Sequence, residues 1–304
     1  MPNYIFGPVQ SRRFGLSLGI DLSPNKKQCN FDCLYCELEP AKTMSHYEDV
    51  AKAEDIALQV KEALIKHKSI DVITITANGE PTLYPHLKEL IELINEFKGE
   101  TQTLILSNGS TVADFKVQEA FMLLDQVKLS LDCISELCFK RLDRVDKSID
   151  LNALKEAMKQ FADDYQGTLL IEILFVENIN DKKQEIKLLN ETLKEINPSR
   201  IDIGTIDRPP AFDVKAISYE KLLEIAREFD ANLNINITTR HKGKALHDSY
   251  SNEEILKTLS KRPLTQEDIN TLFDDESKTR IEELMTLGQI HINSNDKVHF
   301  YCVK

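Results

Sequence analysis

Short runs of β-branched and aliphatic residues alternate along the chain with segments whose apolar residues recur at helical spacing. This alternation is typical of βα units, in which parallel strands are covered by helices. Strands are predicted at residues 16–22, 71–76, 103–107, 127–131, 169–176 and 200–206, and residues 232–239 indicate an extra edge strand. The pattern therefore predicts an α/β fold with six parallel strands.

The segments between these strands carry apolar stripes on one side of a helix, which predict packing against a core. The stripes lie within residues 56–64, 87–94, 151–161 and 186–196, and a further helix is predicted at about 218–229. Six strands with helices between them favour a partial (β/α)6 TIM-like barrel, in which the carboxyl ends of the strands converge on one face where ligands bind.

From about residue 250 the pattern changes to three short helices followed by a hairpin that turns at Ser294–Asp296. Thr265 is the predicted N-cap of the second helix. Three helices and a hairpin resemble a winged-helix module, so residues 1–248 and 249–304 are predicted as two domains. Glutamates outnumber basic residues on the helix that would enter a DNA groove, so we expect the module to contact protein or act as a cap, and not to bind duplex DNA.

Composition is that of an ordinary globular protein, with 304 residues and a net charge of −12. No apolar run approaches the roughly 18 residues of a membrane span, and the first residues lack the pattern of a secretory signal. We therefore expect a cytoplasmic protein with reduced thiols and no membrane contact. The negative charge disfavours polyanions, although Arg12, Arg13, Lys26 and Lys27 form a locally basic segment that is either a solvated loop or a substrate contact.

Three of the six cysteines, Cys29, Cys33 and Cys36, lie within eight positions in the sequence CNFDCLYC. Reduced cysteines at this spacing suit zinc or an iron–sulfur cluster. Zinc in a structural site takes a fourth cysteine or histidine, and the nearest histidine, His46, is ten residues beyond Cys36. A four-iron cluster held by three cysteines would instead leave one iron open for a small molecule.

The sequence CNFDCLYC resembles the cluster loop of the radical SAM superfamily, which has the pattern C-x3-C-x-aromatic-C. The resemblance implies a 4Fe–4S cluster whose open iron chelates the amino and carboxylate groups of S-adenosylmethionine (SAM). It also implies that Tyr35 lies near the adenine, although packing under the loop would need the same side chain.

The segment ANGEPT, after the second predicted strand, is similar to the Gly-Gly-Glu motif of the superfamily, with Asn78 in place of the first glycine. By this resemblance, Gly79 and Glu80 would offer main-chain and side-chain oxygens to the methionine ammonium. Gly79 retains the residue type that allows close backbone approach.

Polar residues also follow the next two strands, at Asn108 and at Ser130 with Asp132. The resemblance implies that Ser130 and Asp132 bind ribose hydroxyls or the methionyl carboxylate, and that Arg144 pairs with that carboxylate. Taken singly, an Asn-Gly pair usually forms a turn and an arginine after a helix is usually a solvated charge. Their register with successive strand ends favours a common site.

The opening segment FGPVQSRRFGLSLGIDLSP and the sequence DRPP at 207–210 resemble a narrower group, the radical SAM proteins related to the tRNA wyosine-base synthases. Wyosine synthases carry extra upstream cysteines for a second cluster, and this chain has none before Cys29, so their reaction is not carried over. Residues that flank the first and sixth strands are candidates to face a substrate: Arg12, Arg13, Asp207 and Arg208.

The remaining cysteines, Cys133, Cys138 and Cys302, have the wrong spacing for a second cluster and are expected to pack as small apolar residues. The resemblance implies an enzyme that cleaves SAM to a 5′-deoxyadenosyl radical, with a reduced flavodoxin or ferredoxin as electron donor. The substrate is open between a tRNA base and a small molecule or peptide. The alternative function is a non-catalytic iron–sulfur redox sensor whose output is the C-terminal module.

Overall fold

The computed structural model describes residues 2–11, 13–67, 69–237, 249–261, 263–295 and 298–303. Within these residues the larger sheet has eight strands that pair in chain order. The strands are β1 (Ile5–Ser11), β2 (Gly15–Asp21), β3 (Val72–Thr76), β4 (Gln102–Ser107), β5 (Gln126–Ser130), β6 (Thr168–Phe175), β7 (Arg200–Thr205) and β8 (Ile235–Ile237). Strands β2 to β8 are parallel, which confirms the predicted α/β class and its six central strands.

Strand β1 was not predicted, and it pairs antiparallel with β2 at the edge of the sheet. It contains a cis bond between Gly7 and Pro8, and its register shifts between Phe6 and Val9. Proline cannot donate a ladder hydrogen bond and is tolerated at an edge strand or a bulge, where β1 has it. A proline within a short segment argues against a strand in the sequence, which is why β1 was missed. The predicted extra strand at 232–239 is shorter in the structure, and residues 238 and 239 lie outside the described part.

Seven helices accompany the sheet in the described residues up to 237. They are α1 (Ala53–Lys66), α2 (Leu87–Asn95), α3 (Phe115–Phe121), α4 (Glu136–Leu142), α5 (Leu151–Asp164), α6 (Lys183–Ile196) and α7 (Tyr219–Ala226). Their apolar faces and one face of the sheet form the main hydrophobic core, in which Val127 and Leu129 of β5 are fully buried. Since strand side chains alternate, Lys128 and Ser130 point to the opposite, inner face.

Charged residues fill part of this inner face. Lys128 Nζ lies 2.6 Å from Glu172 Oε1 and 3.2 Å from Asp202 Oδ2, and Arg13 pairs with both carboxylates. Lys128 and Asp202 are almost fully buried, so each charge is balanced by a partner. Arg13, a candidate to face the substrate, precedes β2 at the amino ends of the parallel strands, and its guanidinium pairs with Glu172 and Asp202. Arg12 lies outside the described residues.

The C-terminal segment forms three helices and a three-stranded antiparallel sheet of order β10-β11-β9. Its elements are α8 (Asn252–Lys261), β9 (Leu264–Thr265), α9 (Gln266–Leu272), α10 (Asp275–Thr286), β10 (Ile290–Asn295) and β11 (Val298–Val303). Thr265 caps α9 as predicted, and its hydroxyl and Asp268 complete a capping box. Of the predicted hairpin turn, residue 296 lies outside the described part.

The C-terminal elements have a hydrophobic core separate from the main one, built around Tyr250, Ile255, Phe273 and Ile281. Tyr250 joins them to the sheet, since its hydroxyl donates to the Pro8 carbonyl oxygen at 2.9 Å. The boundary between residues 248 and 249 borders residues outside the described part, so the division into two domains stays a prediction. Across the described ranges, no helix combines the length and apolarity needed to cross a membrane.

Candidate functional site

The cysteine loop follows β2 and lies at the carboxyl ends of the parallel strands. The loop is attached to the segment after β3: Gln28 N donates to the Asn78 carbonyl at 2.8 Å, and Glu80 N donates to the Gln28 carbonyl at 2.9 Å. The Cys29 carbonyl accepts from Met44 N at 2.9 Å. Main-chain bonds therefore hold the first cysteine at the end of β3.

The other side of the loop rests on the end of α4. Leu34 N donates to the Leu142 carbonyl at 2.8 Å, and Asp32 N donates to the Asp143 carbonyl at 3.1 Å. These carbonyls belong to the last turn of a helix, which leaves its final acceptors without intrahelical donors. The loop amides thus donate to the free carbonyl groups at the end of α4, and these hydrogen bonds also fix the position of the loop.

Cys29, Cys33 and Cys36 are free and partly exposed. A single zinc ion with thiolates at about 2.3 Å would bring the sulfurs to within about 4 Å of each other. In the part of the chain that the structure describes, these three sulfurs are not gathered within 4.8 Å of one another. The three sulfurs are therefore not arranged around a single ion.

The environment of the three thiols opposes ionisation. Burial raises the pKa of Cys29 to about 12, and the carboxylate of Glu80 adds to the shift. Burial also raises the pKa values of Cys33 and Cys36. Because a bound metal deprotonates its thiol ligands through its own charge, the iron itself would have to stabilise these thiolates.

Two N–H groups point at the first cysteine. Phe31 N lies 3.4 Å and Asn108 Nδ2 3.8 Å from Cys29 Sγ. Asn108 is fixed by a second bond from Nδ2 to Asn30 Oδ1 at 2.8 Å. Hydrogen bonds to cluster sulfurs are a recurrent feature of iron–sulfur proteins. The sulfur ligands and their donors therefore fit an iron–sulfur cluster.

Gly79 lets the end of β3 approach the cysteine loop closely. Its φ is +140°, and a Cβ added at this position would lie 1.9 Å from the Gln28 carbonyl oxygen. No other residue type adopts this conformation without strain or fits this space. From the sequence, the close approach of the Gly79 backbone was expected to be toward SAM. In the structure, the group that lies against Gly79 is the main chain of Gln28.

The Glu80 carboxylate is buried and joins two strand ends. Oε1 accepts from Thr82 N at 3.0 Å and from the hydroxyls of Thr82 and Ser107 at 2.6 and 2.7 Å. Oε2 accepts from Asn108 N at 2.7 Å. Burial raises the pKa of Glu80, and these hydrogen bonds oppose the shift. The carboxylate therefore holds together the segments after β3 and β4. Its Oε2 accepts one of these hydrogen bonds, whereas Oε1 accepts three.

Tyr35, Ser130 and Asp132 line a small cavity beside the cysteine loop, together with Asn108. The Tyr35 hydroxyl donates to Asp132 Oδ2, and Leu174 N donates to Asp132 Oδ1 at 2.6 Å. Burial raises the pKa of Asp132 to about 7, although these two bonds oppose the shift. Four of the predicted site residues thus share one concave surface.

Arg144 follows Asp143, which lines this cavity, and its charged partner comes from the cysteine loop. Arg144 Nε lies 3.3 Å from Asp32 Oδ2, and the guanidinium stacks on Phe212 at 4.9 Å from the ring centre. Its φ of +48° is rare for a residue with a side chain. About half of the side chain is exposed, so one edge of the guanidinium faces outward.

Sequence reasoning missed Asp32, which lies between the first two cysteines, and named Lys27 only as part of a basic segment. Lys27 Nζ lies 2.8 Å from Asp32 Oδ1, and both side chains are 8% exposed. Asp32 thus forms ion pairs with both Lys27 and Arg144. An acid between the cysteines with a lysine just before them was visible in the sequence, but it did not show which charges would meet.

The residues after β7 lie on the same side as the cysteine loop. Arg208 pairs with Glu37, the residue that follows Cys36, and the Ala211 amide donates to the Cys36 carbonyl at 2.8 Å. The segment DRPP therefore borders the loop at the mouth of the barrel.

The expectation that all thiols are reduced is wrong for two cysteines in this structure. Cys133 and Cys138 are joined by a disulfide, with their Cα atoms 5.5 Å apart. Cys302 is free and belongs to β11 of the C-terminal sheet.

A family model described as "Radical SAM superfamily" matches residues 27–189, which include the cysteine loop and the segments after β3, β4 and β5. The chain belongs to the radical SAM superfamily, and its cofactors are the superfamily's 4Fe–4S cluster and SAM. It is 43% identical over 300 residues to a UPF0026 protein of Helicobacter pylori (strain J99), covering 98% of this chain and 97% of that one. At that identity and coverage, it is a member of the UPF0026 group.

Two solved structures share the fold. The structure of TYW1 with a lysine–pyruvate adduct bound has a TM-score of 0.54 at 18% identity and covers 75% of this chain and 76% of that one. Streptococcus suis SuiB bound to precursor peptide SuiA has a TM-score of 0.58 at 19% identity and covers 75% of this chain and 50% of that one. The likeness to TYW1 confirms, at the level of fold, the predicted resemblance to the wyosine-base synthases.

Proposed function

We propose that this protein is an enzyme that uses SAM and a 4Fe–4S cluster held by Cys29, Cys33 and Cys36 to abstract hydrogen from a substrate at the barrel mouth. The observation that supports it is that the loop with three free cysteines carries Tyr35, which lines one cavity together with Asn108, Ser130 and Asp132 from the ends of β4 and β5. When bound, the cluster and SAM supply reductive cleavage of SAM to a 5′-deoxyadenosyl radical.

The remaining steps concern this chain's own side chains. Ser130 is proposed to bind a SAM hydroxyl, since its side chain lines the cavity and bonds to no other side chain within the described residues. Glu80 Oε2, which accepts one hydrogen bond, is proposed to receive the methionine ammonium beside Gly79. Asn108 is proposed to complete this side of the pocket, next to Cys29.

Asp132, Tyr35 and Arg144 form the opposite side of the proposed pocket. Asp132 is already held by Tyr35 and Leu174, so it would orient a ribose hydroxyl without moving. The Tyr35 ring offers a flat apolar surface for adenine. The outward edge of Arg144 is proposed to bind the methionyl carboxylate, for which its fixed planar donors are suited.

The electron donor is proposed to be a reduced flavodoxin or ferredoxin, in the cytoplasm. The substrate is proposed to be a tRNA base or a small molecule or peptide. The sequence resemblance to the tRNA wyosine-base synthases supports the first, and the net charge of −12 supports the second.

Anaerobic reconstitution followed by reduction with SAM present tests the reaction. We expect about four irons per chain, the content of one such cluster, and release of 5′-deoxyadenosine even without substrate. The triple variant of the three loop cysteines to Ala should lose the iron, while Cys302→Ala, a matched single-cysteine control, should keep it. Seven or eight irons per chain would contradict the single cluster, and iron without 5′-deoxyadenosine would favour the redox sensor.

The SAM residues are tested separately by equilibrium binding of SAM to the iron-loaded protein. Glu80→Ala, Ser130→Ala, Asp132→Ala and Arg144→Ala should each retain iron and weaken binding by about 1.5–3 kcal/mol for a charge-assisted contact, less for the Ser130 hydroxyl. Ser260→Ala, on the exposed side of α8, is the matched control. Unchanged affinity in all four variants would remove the assignment.

A further inference from the structure

The disulfide between Cys133 and Cys138 closes the short link from β5 to α4. Both cysteines are largely buried, at 1% and 7% exposure. Cys133 comes directly after Asp132, and Cys138 belongs to the first turn of α4. The bond therefore joins the residue next to Asp132, a proposed SAM residue, to the helix whose far end carries the cysteine loop.

The link is well ordered by bonds that do not involve sulfur. Glu185, a buried residue of α6, accepts at Oε1 from Ser135 N at 2.9 Å and at Oε2 from the Ser135 hydroxyl at 2.6 Å. Ser135 is also the N-cap of α4, accepting from Cys138 N at 3.3 Å. Since these bonds hold the turn, we expect the fold to survive cleavage of the disulfide.

Cys133 lines the proposed SAM pocket, and α4 contacts the cysteine loop. Cys133 lines the same cavity as Tyr35, Ser130 and Asp132. At the other end of this unit, Phe139 packs edge-on against Phe31 of the cysteine loop, with ring centres 5.7 Å apart. A change at the disulfide would therefore be transmitted to both walls of the proposed SAM pocket.

We propose that Cys133 and Cys138 are a reversible redox pair, a site for thiol–disulfide exchange with a dithiol, whose oxidised form holds the SAM pocket in its binding geometry. This rests on the proposed SAM site. In reduction, one thiolate of the dithiol attacks a sulfur of the pair and releases the other as a thiolate, giving a mixed disulfide. The second thiol of the reagent then displaces the mixed disulfide, so that the pair gains two electrons and two protons and the dithiol becomes a disulfide.

The chain offers a direct readout of this chemistry. Trypsin should release residues 129–140 as one peptide that contains Cys133 and Cys138 and no other cysteine. Residues 28–42 carry the three loop cysteines on a second peptide, and residues 298–304 carry Cys302 on a third. After denaturation in acid and labelling with N-ethylmaleimide, the 129–140 peptide carries no label when oxidised and two labels when reduced.

The iron-loaded protein is equilibrated without oxygen in mixtures of reduced and oxidised dithiothreitol. It is then labelled and digested as above, and the peptide masses are measured by mass spectrometry. We expect the 129–140 peptide to pass between zero and two labels in one reversible transition, while the 28–42 peptide carries three labels throughout. A peptide that carries two labels in every mixture, or none until the protein is denatured, would overturn the proposal. So would one equivalent of zinc retained by the reduced variant in which the three loop cysteines are Ala, because Cys133, Cys138 and Glu185 lie close enough to bind a metal.

SAM binding is then measured at both ends of that transition. We expect the Kd for SAM to rise about 3- to 10-fold on reduction in the wild type and to be independent of dithiothreitol in Cys133→Ser/Cys138→Ser, whereas Cys302→Ala should behave as wild type. A reversible transition with an unchanged Kd would overturn the link to the pocket. Failure of SAM to bind in either state would instead count against the proposed SAM site, because the peptide masses decide the redox pair independently.

Discussion

Gly79 shows how one residue sets the distance between the cysteine loop and the strand ends. The neighbouring amides of Gln28 and Glu80 bond across this contact, and a side chain on Gly79 would collide with the Gln28 carbonyl. The contact places Glu80 under the loop, where its carboxylate binds the segments after β3 and β4. Function at this site thus depends on a residue that has no side chain.

Gly79→Ala should lower the free energy of unfolding by at least about 2 kcal/mol, from backbone strain and the displaced loop. It should also reduce the iron retained after reconstitution. Gly99→Ala is the matched control, since Gly99 has a φ of +57° but open space around its Cβ position. Denaturant unfolding measures both variants. Equal losses in the two would show that the close contact with Gln28 contributes nothing.

Among single residues, the sequence placed three cysteines in one loop but did not show which charged residues meet. Cys29, Cys33 and Cys36 are close in the chain, so their spacing alone shows that they share a site. Arg144 was expected to bind SAM, yet its neighbours in the structure are Asp32 and Phe212, more than 60 residues away in either direction. Which charges meet depends on contacts between distant segments, and local spacing carries no information on them.

At the scale of elements, hydrogen bonds at the amino ends of β4 and β5 fix the register of these two strands. Asp125, just before β5, accepts at Oδ2 from Thr103 N at 2.8 Å and from the Thr103 hydroxyl at 2.9 Å. Lys98 Nζ, from the turn after α2, lies 2.9 Å from the same oxygen. One carboxylate therefore joins β4, β5 and the connection that precedes them.

The Asp125 carboxyl should contribute a pH-dependent part of the stability. Burial opposes its ionisation, but the bonds from Lys98 and Thr103 outweigh burial and lower its pKa. Such a group stabilises the fold above its unfolded pKa of about 3.9, and this contribution disappears as pH falls through the lower, folded pKa.

Comparison of wild type with Asp125→Asn by urea unfolding tests this. We expect wild type to be more stable by about 1 kcal/mol at pH 6, an amount that allows for partial exposure of the carboxylate. The difference should shrink as the pH falls below about 4. Asp164→Asn, which removes an exposed acid at the end of α5, is the control over the same range of pH. A difference that stays constant down to pH 2.5 would contradict the argument.

At the scale of the whole molecule, the C-terminal elements have their own core but lie against the edge strand of the sheet. The contact centres on Tyr250, which is 2% exposed and stacks on His67 as well as bonding Pro8. Lys66 of α1 pairs with Glu254 of α8 in the same region. The irregular strand β1 thus connects the two cores.

Tyr250→Phe should keep the packing and remove one buried hydrogen bond, at a cost of about 1 kcal/mol. Hydrogen exchange should then rise at β1 and α8 together, because both rely on this contact. Tyr301→Phe removes an exposed bond to Gln266 and should leave exchange in β1 unchanged. Faster exchange in α8 alone would show that Tyr250 supports the C-terminal core without joining it to the sheet.

The charge of the C-terminal segment predicts its behaviour toward nucleic acid. Residues 251–304 contain ten acidic and seven basic side chains, and the acids Glu276, Glu282 and Glu283 lie on α10. Because groove binding depends on neutralising phosphates, we expect no micromolar binding of the whole protein to duplex DNA at physiological salt. Fluorescence anisotropy at two salt concentrations, with bulk tRNA alongside, measures this. Salt-sensitive DNA binding would contradict the expectation, and binding of tRNA alone would favour a tRNA substrate.

The sequence by itself determined the fold class and the cofactors. The fold class follows from periodicity, which is a local property of the chain, and the cofactors follow from the resemblance of the short segment CNFDCLYC to the radical SAM cluster loop. Only the tertiary structure decided that β1 forms an edge strand, that Arg13 lies at the far end of the barrel, and that Cys133 and Cys138 meet in a disulfide. Each of these depends on where folding places residues that are distant in the chain or on the direction in which a short turn brings two side chains. Such placement comes from packing of the whole core, so no pattern within a short segment specifies it.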